Sequence, residues 1–103
     1  MKNNDAFKAR LITKGRRTGK EHAVWLRAVL YQDKVYFSRH NNDADWFQNS
    51  LINSDVKVEF DESSFLGKAK MVNDESLSQK ISELKYPGEK RAKEKRIVLE
   101  VSI

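Results

Sequence analysis

Alternation of apolar and polar residues is the feature that most constrains how this chain can fold. Side chains two residues apart lie on the same face of a β-strand, so an alternating segment predicts a strand with one buried face. Such alternation occurs over residues 7–13, 55–60 and 97–103. Runs rich in β-branched and aromatic residues predict three more strands, at residues 22–31, 34–38 and 65–72. Turn residues at 32–34 and 61–64 join neighbouring strands, so we expect antiparallel hairpins.

The first of two short helices is predicted at residues 44–53. Phe47 and Leu51 are four positions apart there, which places both side chains on one helical face. The polar segment 39–43 precedes this helix and reads as a loop. Its Asn and Asp residues are good candidates for the helix N-cap.

The second helix is expected to begin at residues 73–75 and to end at Pro87-Gly88. Its apolar stripe consists of Leu77, Ile81 and Leu84. The following segment, residues 89–96, is highly charged, and its sequence fits either an extension of the helix or a loop.

Six strands and two short helices predict a mainly β fold of the α+β type. Because the first strands are not separated by crossover helices, the sequence does not favour a parallel doubly wound sheet. The expected architecture is a closed or partly closed six-stranded antiparallel barrel with helices packed at its ends. At this length, residues 1–103 are expected to form a single domain.

The composition excludes some kinds of site and indicates the oligomeric state and the compartment of the protein. The chain has no cysteine, which excludes disulfides and thiolate metal sites. A domain of this size buries only about 65% of its unfolded surface, so its core is small and we expect a homodimer. The N-terminus has no apolar signal segment and no stretch approaches a membrane span. We therefore expect a soluble, cytoplasmic protein.

A basic glycine loop follows the first predicted strand, in the segment Lys14-Gly-Arg-Arg-Thr-Gly-Lys20. Glycines permit positive φ angles and a close approach of the backbone to a ligand. Backbone N–H groups, a hydroxyl and fixed positive charge at one turn suit a phosphate. The loop is therefore a candidate anion site. It is not a nucleotide-triphosphate P-loop, because only three residues separate its glycines, Glu21 follows Lys20, and a strand comes next.

Other catalytic and metal chemistries have little support. His22 and His40 are the only histidines and lie 18 residues apart, so no metal site is predicted. There is no cysteine nucleophile and no serine in a Gly-x-Ser-x-Gly context. Asp43 and Asp45 are better explained by helix capping and the helix dipole than by acid–base catalysis.

Charge is distributed unevenly, which keeps a nucleic-acid interpretation open. Residues 8–27 contain seven basic residues and one acidic residue, and residues 85–96 contain six and two. Such patches can follow a phosphate backbone while aromatic side chains stack on bases. The candidates for stacking are Trp25, Tyr31, Tyr36 and Phe37. Taken one at a time, these aromatics are better explained as core residues.

Three motifs resemble the deazaflavin (F-420)-dependent nitroreductase family, within the split-barrel flavin-binding group that includes pyridoxamine phosphate oxidases. Leu11-Ile-Thr-Lys-Gly-Arg-Arg-Thr-Gly-Lys20 resembles the family's Leu-x-Thr-x-Gly-Arg-[Lys/Arg]-[Ser/Thr]-Gly. The predicted strand ending at Ser38-Arg39 resembles one ending in Ser-Lys before glycines, which are His40 and Asn41 here. Trp46-Phe-Gln-Asn-Ser-Leu-Ile-Asn-Ser-Asp-Val56 resembles Trp-x-x-Asn-Leu-x-x-Asn-Pro-x-Val. The likeness covers roughly residues 11–60.

The resemblance implies a six-stranded antiparallel split β-barrel with two short helices, and an oxidoreductase that binds coenzyme F-420, or alternatively flavin mononucleotide (FMN). The electron acceptor would be a quinone, a nitro compound or a similar electron-poor molecule. The arginines and the threonine of the loop would hold the cofactor's phosphate or anionic tail. Seven cofactor-binding residues are implied in all: Arg16, Arg17, Thr18, Ser38, Arg39, Trp46 and Asn49.

The sequence does not assign a proton donor, although Tyr31, Tyr36 and Tyr86 are candidates. The cofactor itself performs hydride transfer in such chemistry, and the protein supplies position and electrostatics. Two alternatives to an oxidoreductase stay open: a basic nucleic-acid-binding module and a non-catalytic domain that binds a flavin or another small ligand.

Overall fold

The computed structural model describes residues 4–39, 44–90 and 96–103. Within them the chain forms a closed antiparallel β-barrel with two helices, which confirms the predicted fold class. The strands follow one another around the barrel in the order β1-β2-β3-β6-β5-β4. The elements in chain order are β1 (Ala6–Lys14), β2 (Glu21–Tyr31), β3 (Lys34–Arg39), α1 (Asp45–Ile52), β4 (Asp55–Phe60), β5 (Ser63–Met71), α2 (Glu75–Lys85) and β6 (Ile97–Ser102).

The predicted alternation explains the barrel interior. In β1 the side chains of Ala9, Leu11 and Thr13 are buried, while the intervening residues are more exposed. The inward residues of the other strands complete one apolar core with them, and the aromatic residues of α1 close one end. Leu11 pairs with Val24 of β2 on one side and with Val58 of β4 on the other. This register keeps the three side chains on the inner face of the barrel.

Helix α2 covers part of the barrel's outer face. Outward-facing Val29, Tyr36 and Val98 form a second buried cluster with Ile81 of this helix. Leu77 and Leu84 pack against the same cluster, as the predicted stripe requires. Asp74 caps the helix by accepting a hydrogen bond from the Leu77 amide at 3.2 Å.

Two hairpins turn through residues with positive φ. Gln32 and Asp33 have φ angles of 50° and 65° between β2 and β3, and Asp61 and Glu62 have 48° and 65° between β4 and β5. Two successive left-handed residues give the twist that a two-residue hairpin needs. Both turns therefore occur where the sequence predicts them, although β5 already begins at Ser63.

The start of α1 differs from the prediction. Ala44 occupies the N-cap position and provides no side-chain hydrogen bond, whereas a polar cap from the preceding loop was expected. The Asn and Asp candidates at 41–43 lie outside the described residues, as do His40 and most of the charged segment, 91–95. In the described ranges, neither helix has the length and apolar character that a membrane-crossing helix needs.

A buried polar network lies on the outer face near α2. Glu100 is 5% exposed, and it accepts hydrogen bonds from Lys34 Nζ and Tyr36 Oη, both at 3.1 Å. Burial raises the pKa of Glu100, but these two hydrogen bonds and the charges of Lys34 and Lys70 outweigh it and hold the pKa below its ordinary value. Burial, together with the Glu100 carboxylate, raises the pKa of Tyr36 to about 12.

Candidate functional site

Two adjoining cavities lie where the glycine loop meets α1. The loop cavity, of about 250 Å³, is lined by Gly15, Arg16, Arg17, Thr18, His22, Asp45 and Asn49. The tryptophan cavity, of about 340 Å³, is lined by Thr13, His22, Ala23, Val24, Arg39, Ala44, Asp45, Trp46 and Asn49. Three residues, His22, Asp45 and Asn49, line both cavities, so we treat the two as one cleft.

The glycine loop is a tight turn between β1 and β2. The Gly15 amide donates to the Lys20 carbonyl at 2.7 Å, and the Gly19 amide donates to the Gly15 carbonyl at 2.8 Å. Gly19 has a φ of 72°, which a residue with a Cβ adopts only at a cost. Because the turn closes on itself, Arg17 and Thr18 are exposed at its tip. The Thr18 hydroxyl accepts a hydrogen bond from the Lys20 amide at 3.3 Å, and its own proton can still be donated to a ligand.

Gly15 allows three parts of the site to meet. A Cβ at this position would lie 2.9 Å from Nε2 of His22 and 3.0 Å from Oγ1 of Thr18. Both distances are shorter than normal van der Waals contact, so a larger residue would push the imidazole or the hydroxyl away. The absence of a side chain thus brings the histidine of β2 against the loop.

Asn49 of α1 fastens the loop to the barrel. Its Oδ1 accepts from the backbone amide of Arg16 at 3.2 Å and from Nη1 of the same residue at 2.8 Å. Its Nδ2 donates to Oγ1 of Thr13 at 3.4 Å. The Arg16 guanidinium also pairs with Asp45 through Nη2 at 3.4 Å. Asn49 is 3% exposed, so its amide acts on the position of the loop.

Trp46 forms the apolar wall of the tryptophan cavity. Its side chain is 7% exposed and packs edge-on against Phe47 at 5.8 Å between ring centroids, with Phe37 at 6.2 Å. Among the described residues, no acceptor lies within hydrogen-bond distance of its Nε1. A buried donor without an acceptor is costly.

Arg39 and Ser38 are neighbours in sequence but face opposite sides of β3. Arg39 lines the tryptophan cavity. Ser38 shares its face with Tyr36, below α2, where its Oγ and its carbonyl oxygen accept hydrogen bonds from Lys85 Nζ at 3.1 Å and 3.2 Å. Adjacent residues of a strand point in opposite directions, so the structure does not bring Ser38 to the cleft with the other six candidates. That Ser38 contacts a cofactor stays a prediction.

The three tyrosines named as proton-donor candidates are not among the residues that line the two cavities. Tyr36 is buried beneath α2, and its ring lies 6.4 Å from that of Tyr31. Tyr86 is 8% exposed and packs against three cations instead, with Arg96 nearest at 4.8 Å from its ring centroid. No tyrosine of this group is therefore positioned to reach a ligand in the cleft.

Sequence reasoning missed three polar residues of the cleft, Thr13, His22 and Asp45, as well as its apolar lining residues Ala23, Val24 and Ala44. A signal for His22 was present, because alternation along β2 places it on the same inward face as Val24 and Leu26. Its strand partner is Thr13. Asp45 was assigned to the helix dipole, yet it also pairs with Arg16 from α1. Among the described residues, three arginines and one carboxylate line the cleft, so positive charge predominates in this part of it.

Metal binding and base stacking gain no support from this arrangement. The described residues contain no group of three or more histidine and carboxylate side chains close enough to hold a metal ion. Of the four aromatics considered for stacking, Tyr36 and Phe37 are buried, whereas Trp25 is 64% exposed on the outer face of the barrel. The stacking residues are thus dispersed between the core and the surface.

Solved structures share this fold at low sequence identity. An F420-H2 dependent reductase is 19% identical, with a TM-score of 0.71 over 91% of this chain and 92% of that chain. A Listeria innocua protein provisionally assigned as a pyridoxamine 5′-phosphate oxidase is 17% identical, with a TM-score of 0.70 over 91% and 81%. A third protein, described as a domain-swapped dimer, is 19% identical, with a TM-score of 0.73 over 91% and 78%. No family model matches the sequence, and no match is found among curated proteins.

Proposed function

We propose that this protein is an oxidoreductase that binds a deazaflavin of the F-420 type, or alternatively FMN, in the cleft between the glycine loop and α1. One observation carries the proposal: Asn49 joins an arginine-bearing turn to a cleft walled by a buried tryptophan. A polar, positively charged end and an apolar end in one cleft match a ligand with a ring system and an anionic tail. The fold shared with an F420-H2 dependent reductase supports the same assignment.

The loop cavity would hold the anionic tail. Arg17 and Thr18 are exposed at the tip of the turn, and Arg16 is held in place by Asn49 and Asp45. Charge-assisted hydrogen bonds from a guanidinium to a phosphate are roughly twice as strong as neutral ones. These three residues would therefore provide most of the affinity for the tail.

The tryptophan cavity would hold the ring. Val24 and the indole of Trp46 supply apolar surface for the ring. Arg39, at the same cavity, adds positive charge beside the ring. When bound, a reduced deazaflavin or flavin supplies the hydride for an electron-poor acceptor such as a quinone or a nitro compound. The chain's own residues bind, orient and shield the ring.

A homodimer would complete the site. The tryptophan cavity is at the lower end of the volume range typical for small-molecule sites and the loop cavity is below it, and a second subunit would add walls. Two large apolar side chains, Trp25 of β2 and Leu66 of β5, are 64% and 79% exposed on the outer face of the barrel, on strands that β1 and β4 separate. The strand register joins them through β1 and β4, since Trp25 pairs with Arg10 and Leu66 with Lys57. We propose this face as the dimer contact.

Titration with oxidised F-420 and with FMN, followed by ring fluorescence, tests the proposed function. We expect saturable binding of at least one of them below about 100 μM. Arg17→Ala should weaken that binding by about 1.5–3 kcal/mol, because a charge-assisted hydrogen bond is lost. Lys80→Ala, which removes an exposed charge of α2 outside the cleft, is the matched control and should leave the affinity unchanged. Absence of binding by either cofactor at about 100 μM would refute the proposal.

A further inference from the structure

His22 occupies the junction of the cleft. It lies near the start of β2 and lines both the loop cavity and the tryptophan cavity. Its side chain is exposed, and it is directed by the strand alternation to the same side as Val24. A ligand that spans the two cavities has to pass this imidazole.

The loop is built so that this imidazole reaches the phosphate-binding residues. The 2.9 Å separation between Nε2 of His22 and a Cβ added to Gly15 shows that the ring lies directly against the loop backbone. The Thr18 hydroxyl lies 3.0 Å from the same point. Loop hydroxyl and imidazole nitrogen therefore border one small space, next to the amide groups at the tip of the turn.

The charged groups that face His22 come from three elements. The loop contributes Arg16 and Arg17, β3 contributes Arg39, and α1 contributes Asp45. Asp45 pairs with Arg16 at 3.4 Å, and its side chain is 86% exposed. The strand partner of His22 in β1 is the uncharged Thr13. Within the described residues of the cleft, positive charge exceeds negative charge even with a neutral imidazole.

We propose that His22 binds the anionic end of the ligand in its protonated form, as a further cation of the loop site beside Arg17. Binding of a phosphate ester then takes up a proton. This inference rests on the proposed function, because the same loop has to hold the ligand's tail. It adds that recognition of a phosphate monoester depends on pH, while recognition of a ring without phosphate does not.

The physical reason is linkage between two charges. Histidine is the side chain that gains or loses its charge near neutral pH. A doubly negative phosphate within a few ångströms favours the imidazolium over the neutral ring. Because the free cleft already contains an excess of arginines, the incoming anion is what makes a further positive charge favourable. Proton uptake and anion binding must therefore occur together.

Isothermal titration calorimetry with FMN tests the proposal. Measured near pH 7 in two buffers of different ionisation enthalpy, the binding heats report how many protons are taken up. The free phosphate is the same for every variant, so the difference between variants reports the coupling between position 22 and the bound phosphate. We expect wild-type protein to take up more protons than His22→Gln. Riboflavin, which lacks the phosphate, should show no such difference.

A second measurement uses the affinity itself. Between about pH 8 and about pH 6, the ratio of wild-type to His22→Gln affinity for FMN should rise by up to about tenfold. His40→Gln is the matched control, since the chain has only two histidines. Glutamine keeps a hydrogen-bond donor at position 22, and a circular dichroism spectrum checks that each variant is folded.

The outcomes separate the two proposals. FMN binding with the same proton uptake in wild type and His22→Gln would overturn the role of His22 and leave the proposed function intact. Loss of the uptake in His40→Gln instead of His22→Gln would overturn it as well. Failure of wild-type protein to bind either FMN or F-420 would overturn both.

Discussion

Removal of the Asn49 amide should loosen the glycine loop and weaken anion binding together. Asn49→Ala deletes the acceptor of two hydrogen bonds from Arg16, at 2.8 Å and 3.2 Å, and the donor to Thr13 at 3.4 Å. The hydrogen bond from the guanidinium is charge-assisted. Because the Arg16 side chain is 34% exposed, water can hydrogen-bond the guanidinium in the variant and compensate part of the lost energy. We therefore assign it about 1.5 kcal/mol, and about 1 kcal/mol to the other two bonds together. The expected loss of unfolding free energy is about 2–3 kcal/mol.

Urea unfolding followed by circular dichroism measures this loss, and a cofactor titration on the same variant measures the affinity. With the loop released, binding should weaken about tenfold, which corresponds to about 1.4 kcal/mol. Asn53→Ala removes a comparable amide just after α1, where Oδ1 accepts only from the Asp55 amide at 3.3 Å. Its loss should be about 0.5 kcal/mol, with unchanged affinity. Equal destabilisation in the two variants would refute the bracing role of Asn49.

Three further predictions concern the barrel itself. Gly67→Ala should destabilise it by about 3 kcal/mol in urea unfolding, because a Cβ would lie 2.6 Å from a methyl carbon of Val101 and 2.9 Å from a backbone oxygen; a loss below about 1 kcal/mol would contradict this. Because the pKa of Glu100 is lowered by folding, the carboxylate stabilises the fold at neutral pH and loses this effect as the pH falls below about 4.5. Glu100→Gln should therefore lose less unfolding free energy than wild type between about pH 7 and about pH 3, and equal losses would exclude the linkage. Leu66→Lys combined with Trp25→Lys should convert the proposed homodimer to a monomer in light scattering, and a dimer that persists in the double variant would place the contact on another face.

The fold was largely predictable because its main determinant is local. Strand alternation depends on the identity of residues two apart, and that information is contained in each segment, as β1 shows with Ala9 and Leu11 inside the barrel. Hairpin turns were predictable for the same reason. The N-cap of α1 was not, since Ala44 is held at that position by the tertiary packing of the helix against the barrel and not by its own side chain.

The candidate site was predictable only where its residues are close in sequence. The loop residues Arg16, Arg17 and Thr18 share one turn, so their proximity follows from the chain. Ser38 was grouped with Arg39 by resemblance, although the pleat of β3 turns their side chains to opposite faces. His22 joined the site through strand pairing and through the missing side chain of Gly15, which no single segment reveals.

Chemical-shift mapping of the backbone amides with added cofactor tests the central claim most directly. The claim is that the glycine loop and α1 together hold the anionic tail and the ring of a redox cofactor. On addition of F-420 or FMN, the amides that move most should belong to residues 15–22 and 44–49, with Arg39 beside them. Shifts that concentrate on α2 and the outer face of the barrel, with the loop unmoved, would contradict the account.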